Sequence, residues 1–262
     1  MADPANSAAP AGNPAGRPTE APSAGRLSET PSAGRLSEAN GDPHRASFRI
    51  LAVCSGNVCR SPLVELLLAQ RLRDRDDFAV TSAGTIARPD MRMTAQMVAV
   101  VHDHGIDESD AHAHGAQRLF EDTVAGADLI LGLTREHRAT AVQLAPGALR
   151  RTFTLTEFAR LTRLLQSGTR GAHAHQPTAA ELVAEAFERR GLDPAHDPAR
   201  DDIDDPIGRS QATYVRVGGE IRAAVDVVAS ALLATRPGPA THRQHAAPGS
   251  SGPALDFSFR PA

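Results

Sequence analysis

Apolar and polar residues follow two rhythms along residues 47–235. Short apolar runs are typical of buried parallel strands, and they lie at 48–53, 78–84, 127–133 and 151–155. Elsewhere apolar residues recur every three or four positions, which predicts helices, at 62–73, 94–104, 134–144, 157–165, 179–190 and 214–232. Strands that alternate with helices favour an α/β fold, and we expect three layers, α/β/α, around a central four-stranded parallel sheet.

The two ends of the chain lack this rhythm. Residues 1–46 are rich in Ala, Pro, Gly and Ser and contain PSAGRLSE twice. Such sequence buries too little apolar surface to offset its chain entropy, so we predict a disordered N-terminal tail. Residues 236–262 are predicted to form a flexible C-terminal tail. One domain, residues 47–235, remains between them.

Composition narrows the range of partners. The formal net charge of −3 gives no bulk attraction to nucleic acid or to an anionic membrane. No apolar run approaches the roughly 18 residues of a membrane span, and the N-terminal residues do not follow a secretory signal pattern. Two cysteines are too few for a disulfide framework, so we expect a cytoplasmic protein with both thiols free.

Both cysteines lie in VCSGNVCRSP, residues 53–62, between the first predicted strand and the first predicted helix. The carboxyl end of such a strand is where ligands bind in α/β sheets, and a helix N-terminus attracts anions. Arg60 adds a planar fork of donors suited to a tetrahedral oxyanion. This setting favours a thiolate at Cys54, a nucleophile for phosphoryl transfer. The hydroxyl of Ser61 is then placed to stabilise the sulfur as a leaving group.

Phosphoryl transfer to a thiolate also needs a general acid for the departing alcohol. The candidate is Asp205, in the acidic segment DDIDDPIG of residues 201–208. Pro206 stiffens the backbone after Asp205 and helps to fix where its carboxylate points. The other acids of this segment are interpreted as solvated loop residues, and TREHR (134–138) as a capped helix start with exposed charge.

These motifs resemble those of a known family. CSGNVCRSP is similar to the signature C-x-G-N-x-C-R-S-P of the low-molecular-weight protein tyrosine phosphatases, and Asp205-Pro206 to that family's distal acid motif. TSAGT (81–85) resembles the segment after the second strand, and His114 in HGAQRL resembles a histidine of the same family. The order of the predicted elements also fits, from the first strand to the last helix.

The resemblance implies a phosphatase that hydrolyses phosphate monoesters, phosphotyrosine in proteins, through a cysteinyl-phosphate intermediate. Cys54 would attack phosphorus, and Asp205 would first protonate the leaving group and then activate water. The phosphate-binding loop would lie between the first strand and the first helix and would comprise Ser55, Gly56, Asn57, Val58, Cys59 and Arg60.

The resemblance also assigns supporting roles. Asn57 would hold the shape of the loop, with help from Ser82 and His114. Cys59 would form a reversible disulfide with Cys54 under oxidants, which shields the nucleophile. The implied partner is a phosphorylated protein or a small phosphate ester, and no cofactor or metal is expected.

The substrate and two alternative functions stay open, and aromatic residues are scarce near the site. Ile207 and Gly208 follow Pro206, and the segment TIARPDMRM after the second strand has no aromatic residue. The chemistry would survive this, whereas a preference for phosphotyrosine is left open. One alternative is an arsenate reductase on the same fold that uses an external small-molecule thiol. The other is a phosphoprotein-binding module without enzymatic activity.

Overall fold

The computed structural model describes residues 47–167, 176–192 and 197–238. Its four strands form one parallel sheet in the order β2-β1-β3-β4. The strands are β1 (Phe48–Cys54), β2 (Phe78–Gly84), β3 (Leu129–Gly132) and β4 (Thr152–Thr154). The predicted four-stranded parallel sheet is confirmed.

The helices in the described residues connect these strands. They are α1 (Arg60–Leu72), α2 (Ala95–Asp103), α3 (Glu108–Ala113), α4 (Glu121–Gly126), α5 (Arg135–Leu144), α6 (Leu155–Ser167), α7 (Ala179–Leu192) and α8 (Gln211–Leu233). Short 3₁₀ helices cover Pro146–Arg151 and Pro198–Asp201. None of the helices in the described ranges is both long and apolar enough to span a bilayer.

Strand β1 is buried on both faces and divides the core. Ile50 and Ala52 belong to the larger apolar cluster, whereas Leu51 and Val53 belong to a smaller cluster on the opposite face. This alternation follows from the two-residue repeat of a strand. Helices α1, α2, α6, α7 and α8 supply the larger cluster, and α4 and α5 contribute to the smaller one. The predicted three-layer α/β/α arrangement is confirmed.

The strand order places a ligand site at the carboxyl end of β1. From β1 the chain continues to β2 on one side of the sheet and later to β3 on the other. The connections diverge there, and this leaves a crevice beyond the strand ends. The loop of residues 55–59 occupies this position, between β1 and α1. The predicted position of the phosphate-binding loop is therefore correct.

The helices differ from the prediction mainly at their ends. The apolar stripe predicted for α8 is buried along its length, from Tyr214 to Leu232. Helix α6 begins at Leu155, two residues before the predicted start, because Thr154 and Glu157 form a reciprocal capping box. The Glu157 N–H donates to Thr154 Oγ1 at 3.1 Å, and the Thr154 N–H donates to Glu157 Oε2 at 3.2 Å. Helices α3 and α4 were not predicted, since six residues are too few for a visible periodicity.

The predicted N-terminal tail and most of the predicted C-terminal tail lie outside the described residues. Of the C-terminal segment, residues 236–238 are described. The N–H of Arg236 donates to the carbonyl of Pro177 at 3.0 Å, which ties the chain after α8 to the residues before α7.

Candidate active site

Several carbonyl groups at the end of β1 and in the loop that follows it are bonded to other parts of the chain. Three accept N–H groups from the chain after β2; the pairs are Cys54 with Thr85 (2.9 Å), Ser55 with Ile86 (3.0 Å) and Val58 with Thr94 (2.9 Å). Five amides here have no acceptor among the described residues, those of Ser55, Gly56, Val58, Cys59 and Arg60. These N–H groups, at the N-terminus of α1, are donors that suit an anion.

Gly84 allows the loop to lie directly against the end of β2. A Cβ atom on Gly84 would come within 2.5 Å of the Ser55 carbonyl oxygen and 2.8 Å of the Asn57 nitrogen. Both neighbours are backbone atoms, so a side chain here would displace the loop itself. The glycine of the TSAGT segment is thus required by close packing.

Asn57 holds the turn of the loop. It has a left-handed backbone, with φ of 53°, which asparagine tolerates better than most residues. Its Nδ2 donates to Ser82 Oγ at 2.7 Å and to Ser61 Oγ at 3.0 Å, and its Oδ1 accepts the Gln117 N–H at 2.7 Å. The amide is fully used and completely buried. This geometry supports the role predicted for Asn57.

Ser82 and His114 contact Asn57 from two sides. The Nε2 of His114 lies 2.8 Å from the Asn57 carbonyl oxygen, so Nε2 carries a proton and donates. Ser82 accepts from Asn57 and donates to Glu65 Oε2 at 2.6 Å. Glu65 also lies 4.0 Å from His114 Nδ1, and burial raises the pKa of its carboxyl group. Glu65 was missed at the sequence level, because on α1 it reads as an ordinary polar-face residue.

Cys54 is the last residue of β1, directly before the loop. Its Sγ is 3.0 Å from Ser61 Oγ and accepts the Asn57 N–H at 3.3 Å. Ser61 Oγ accepts a hydrogen bond from the Asn57 amide, and its single hydroxyl hydrogen can point to the sulfur or to the Ala83 carbonyl, 3.4 Å away. The predicted contact between Cys54 and Ser61 is therefore present.

Cys59 differs from Cys54 in its surroundings. Both thiols are free and buried. Burial raises the pKa of Cys59 well above its ordinary value, and the neighbouring Cys54 and Asp205 act in the same direction. Cys59 therefore stays a protonated thiol at neutral pH, packed in the apolar cluster at the start of α1.

Arg60 joins the loop to the acidic segment 145 residues later. Its Nη2 donates to Asp205 Oδ2 at 2.6 Å, and its Nη1 donates to the Ile203 carbonyl at 3.0 Å. Its Nε is buried and has no hydrogen-bond partner in the described part of the chain. The guanidinium is 4% exposed, whereas the Asp205 carboxylate is 43% exposed. Two candidates that lie far apart in the sequence are thus in direct contact.

The segment that carries Asp205 is anchored on both sides. The buried Ile203 donates its N–H to the Leu133 carbonyl at the end of β3, at 2.9 Å. Beyond it, Asp205 Oδ1 accepts the Ile207 N–H at 3.2 Å, an Asx turn stiffened by Pro206. The turn closes at Gly208, which has φ of 75°.

Of the other acids of this segment, all interpreted from the sequence as solvated, one is buried and one is exposed. Asp201 is buried, burial raises the pKa of its carboxyl group, and it lies 3.7 Å from Arg160 Nη2. Asp202 is half-buried and accepts two bonds from the Arg135 guanidinium, at 3.0 and 2.8 Å. Asp204 is 70% exposed, as expected, and lies 2.6 Å from Arg216 Nη2.

His137 is the main correction to the sequence interpretation. Thr134 does cap α5, as predicted, but His137 is only 4% exposed. Its Nε2 lies 2.9 Å from Ser55 Oγ, and its Nδ1 lies 3.0 Å from Thr134 Oγ1. Burial, followed by the charge of Arg60, lowers the pKa of His137 to about 4. The sequence offered no signal for this contact, since 82 residues separate the two side chains.

A cleft of about 260 Å³ opens where these parts meet. Its lining includes Ser55, Arg60, His137 and Asp205, so it joins the loop, α5 and the acidic segment. Carboxylates contribute much of the remaining wall, and Ile203 is its apolar part. None of the described residues that line it is aromatic.

Comparison with known proteins bears on this arrangement. A family model described as low molecular weight phosphotyrosine protein phosphatase matches residues 49–167. The probable low molecular weight protein-tyrosine-phosphatase EpsP of Ralstonia nicotianae is 34% identical over 144 residues, which cover 55% of this chain and 90% of that protein. The chain belongs to this family. It is accordingly a phosphatase, a hydrolase of a family that works through a cysteine nucleophile.

Other relatives within the low molecular weight phosphatases carry a different name. The protein-arginine-phosphatase of Geobacillus stearothermophilus is 32% identical over 111 residues, 42% of this chain and 71% of that protein. The solved structure of the YwlE arginine phosphatase from the same organism has 27% identity and a TM-score of 0.51, and the match covers 71% of this chain and 93% of that one.

A solved low molecular weight protein tyrosine phosphatase from T. tengcongensis gives a similar result. It has 25% identity and a TM-score of 0.51, with 70% of this chain and 99% of that chain covered. The family model spans Cys54, Arg60, Ser82 and His114, whereas Asp205 lies beyond its last matched residue. The inclusion of Asp205 in the candidate site therefore rests on its hydrogen bond with Arg60 and not on the family model.

Proposed function

We propose that this phosphatase dephosphorylates phosphotyrosine in proteins, with Cys54 as nucleophile, Arg60 and the loop amides as the phosphate site, and Asp205 as general acid and base. One observation carries the proposal. Arg60, which begins α1 directly after the loop that follows Cys54, contacts Asp205 at 2.6 Å at a cleft that both residues line. The fold thus brings the proposed proton donor to the loop that carries the proposed nucleophile.

The first step transfers the phosphoryl group to sulfur. The phosphate binds the free amides of residues 55–60 and the Arg60 guanidinium, which releases Asp205 toward the leaving oxygen. The Cys54 thiolate attacks phosphorus as the P–O bond to the tyrosine breaks, and Asp205 delivers a proton to the departing phenolate. The amides and Arg60 stabilise the charge on the three equatorial oxygens.

The second step regenerates the enzyme. Asp205, now ionised, takes a proton from a water molecule that attacks the phosphocysteine. The S–P bond breaks, inorganic phosphate forms, and Cys54 departs as a thiolate. Ser61 stabilises that thiolate through its hydroxyl group, 3.0 Å from the sulfur.

Aliphatic side chains would flank the ring of a phosphotyrosine. Ile86 is 69% exposed and its backbone is bonded to Ser55, while the half-exposed Ile207 is bonded to Asp205. The backbones of both residues are thus held next to residues of the proposed site. An aromatic ring between them would gain apolar contact without aromatic stacking.

Phosphoarginine is the second candidate substrate. Two relatives described above are named arginine phosphatases. The cleft lining is also rich in carboxylates, with Glu136, Asp202 and Asp204 beside Asp205. These charges are compatible with a cationic guanidinium leaving group. A comparison of a phosphotyrosine peptide with a phosphoarginine peptide of the same sequence decides between the two.

We further propose that the site is redox-sensitive. Peroxide would oxidise the Cys54 thiolate to a sulfenic acid, and the Cys59 thiol would condense with it to give a disulfide and water. A reducing compartment would restore the enzyme, which fits our proposal of a cytoplasmic location. We assign the catalytic domain to residues 47–235.

The test uses wild type, Cys54→Ser and Asp205→Asn with p-nitrophenyl phosphate, the two peptides and arsenate. We expect Cys54→Ser to abolish hydrolysis, and Asp205→Asn to lower kcat by about a hundredfold. Hydrolysis by Cys54→Ser would contradict the proposed mechanism. Arsenate reduction with a small thiol and no hydrolysis would favour the reductase, and tight binding of phosphopeptides without turnover would favour the binding module.

A further inference from the structure

His137 and Ser55 form a side-chain contact that the mechanism above does not use. The His137 ring is buried beside the loop, with Nε2 2.9 Å from Ser55 Oγ and Nδ1 3.0 Å from Thr134 Oγ1. All three residues line the same cleft as Arg60 and Asp205. A buried imidazole held at both nitrogens has a fixed orientation, and one end of it touches a residue of the phosphate site.

The ring is neutral at physiological pH. Burial and the adjacent Arg60 lower the pKa of His137 to about 4. A neutral imidazole has one N–H donor and one acceptor nitrogen. The two hydroxyl partners must therefore play opposite roles: one donates to the ring and the other accepts from it.

The choice of tautomer sets what Ser55 presents to the cleft. If Thr134 donates its hydroxyl hydrogen to Nδ1, then Nε2 carries the proton and donates to Ser55 Oγ, and the Ser55 hydrogen is free. In the opposite tautomer the proton is on Nδ1, and Ser55 donates its hydroxyl hydrogen to Nε2. Only lone pairs of Ser55 Oγ then face the cleft. An anion favours the first arrangement, because it attracts the free hydrogen and repels the lone pairs.

Thr134 fits the first arrangement. Its Oγ1 accepts the His137 backbone N–H at 3.3 Å, so the backbone already occupies one of its lone pairs. The hydroxyl hydrogen remains to be placed, and Nδ1 of the same residue is within reach. The hydrogen bonds can then run in one direction, from Thr134 through His137 to Ser55 and on to the anion.

We propose that His137 is a positioning residue that makes the Ser55 hydroxyl an additional hydrogen-bond donor to the transferred phosphoryl group. The inference rests on the proposed function, in which residues 55–60 bind phosphate. It adds a side-chain donor to the backbone amides and to Arg60. A donor oriented before substrate arrives stabilises the charge on the equatorial oxygens without reorganisation.

The test is a double-mutant cycle on p-nitrophenyl phosphate hydrolysis. We expect Ser55→Ala and His137→Leu each to lower kcat/KM by about tenfold to a hundredfold. The double variant should lose no more kcat/KM than the less active of the two single variants, because both changes remove the same hydrogen-bond donor. His137→Gln, which can place an amide N–H near the position of Nε2, should recover most of the activity. His112→Leu, an exposed histidine on α3, is the matched control and should behave as wild type.

Inhibition by vanadate, a mimic of the pentacoordinate phosphoryl group, provides a second measurement. We expect Ser55→Ala and His137→Leu to weaken vanadate binding by similar factors. Nitrogen-15 spectra of the imidazole in the vanadate complex should place the ring proton on Nε2, with the signal identified by its absence in His137→Gln. A proton on Nδ1 in that complex would overturn the proposal.

The outcomes separate this inference from the proposed mechanism. Losses that multiply in the double variant, or a Ser55→Ala enzyme with wild-type kcat/KM, would overturn the role of His137. If His137→Leu does not fold, Ser55→Ala and His137→Gln still decide the question. Activity in Cys54→Ser would instead contradict the nucleophile assignment, whatever the cycle shows.

Discussion

Two arginine–carboxylate contacts in this protein look alike but differ in how many of their polar atoms have hydrogen-bond partners. Arg60 meets Asp205 at 2.6 Å in the cleft, and Arg190 meets Glu157 at 2.8 Å on the far side of β4. Both arginines come from helices and lie mostly out of solvent. Their carboxylates differ: that of Asp205 is 43% exposed, while that of Glu157 is 5% exposed.

The Glu157 cluster uses nearly every polar atom it contains. Its two carboxylate oxygens accept from Arg138, Arg190 and the Thr154 N–H, at distances of 2.8 to 3.3 Å. Arg190 also donates to the Thr152 carbonyl at 2.7 Å, and its guanidinium lies 4.3 Å from the centre of the Phe153 ring. Such a cluster has little capacity left for a ligand.

The Arg60 pair is incomplete by comparison. Arg60 Nε has no partner in the described part of the chain, five loop amides beside it lack acceptors, and Asp205 faces the open cleft. Buried polar groups are normally satisfied, so a cluster of unsatisfied donors marks a place for an anion. The two pairs differ in how many of their polar atoms have hydrogen-bond partners, more than in charge or in burial of the arginine. We infer that a pair whose polar atoms are all bonded is structural, whereas unsatisfied donors indicate a binding site.

The sharpest test of this difference is a matched pair of substitutions. Arg60→Lys keeps the charge but loses the planar fork, so we expect kcat/KM to fall about a thousandfold. Arg190→Lys is the control and should leave kcat/KM close to wild type. Hydrolysis of p-nitrophenyl phosphate measures both. Equal losses of kcat/KM in the two variants would mean that the number of hydrogen-bonded polar atoms does not distinguish the two pairs.

We expect Glu157→Ala to lower the stability of the protein and to leave its activity unchanged. Removal of the shared carboxylate takes away the acceptor of the Thr154 N–H and of Arg138 Nη1 and leaves Arg190 with the Thr152 carbonyl, which should lower the free energy of unfolding by about 3 kcal/mol. Urea unfolding followed by circular dichroism measures the loss. The folded fraction should keep its kcat, and a large fall in kcat at full folding would contradict the structural role.

The pH dependence of stability gives a smaller effect. His137 faces the charges of Arg60, Asp205 and Asp202, and its pKa falls from 6.5 to about 4 on folding. Between these values the unfolded chain binds the extra proton, so stability should fall as the pH drops through this window. By about pH 5, we expect His137 to contribute about 2 kcal/mol to that fall. Urea unfolding at several pH values should show a shallower slope for His137→Gln, and an unchanged slope would refute the assignment.

The smallest effect is expected for an exposed ion pair. Glu188 contacts Arg150 on the surface, and their side chains are 67% and 66% exposed. Solvent screens such a pair, so Glu188→Ala should change the free energy of unfolding by less than about 0.5 kcal/mol. Thermal unfolding provides the measurement, with Glu157→Ala as the contrasting variant. A loss as large as that of Glu157→Ala would show that exposure is a poor guide here.

Sequence reasoning predicted the parts of the site that are local in the chain. Cys54, Arg60 and Ser61 lie within one loop and one helix turn, so spacing alone brings them together. Asp205 was found through its proline neighbour, although only the fold brings it to Arg60. The sheet followed from four apolar runs, since buried parallel strands need continuous apolar sequence.

The missing parts depend on distant contacts. His137 and Glu65 look like polar residues of helix surfaces, and their hydrogen bonds to Ser55 and Ser82 join them to other parts of the chain. The left-handed backbone of Asn57 also has no periodic signal. Short helices such as α3 depend on local capping, here by Asp107, more than on an apolar face. These features follow from tertiary packing, which no local pattern encodes.

The contact between Asp205 and Arg60 has a consequence for the proposed mechanism. The Asp205 carboxylate binds the same guanidinium that would bind a phosphate. An entering anion would have to displace this built-in competitor, which would lower its net affinity by the free energy of the displaced contact. Inorganic phosphate, with no leaving group to bind, would have the least to offset that displacement. The contact would therefore work against occupation by the product and leave Cys54 accessible for the next ester.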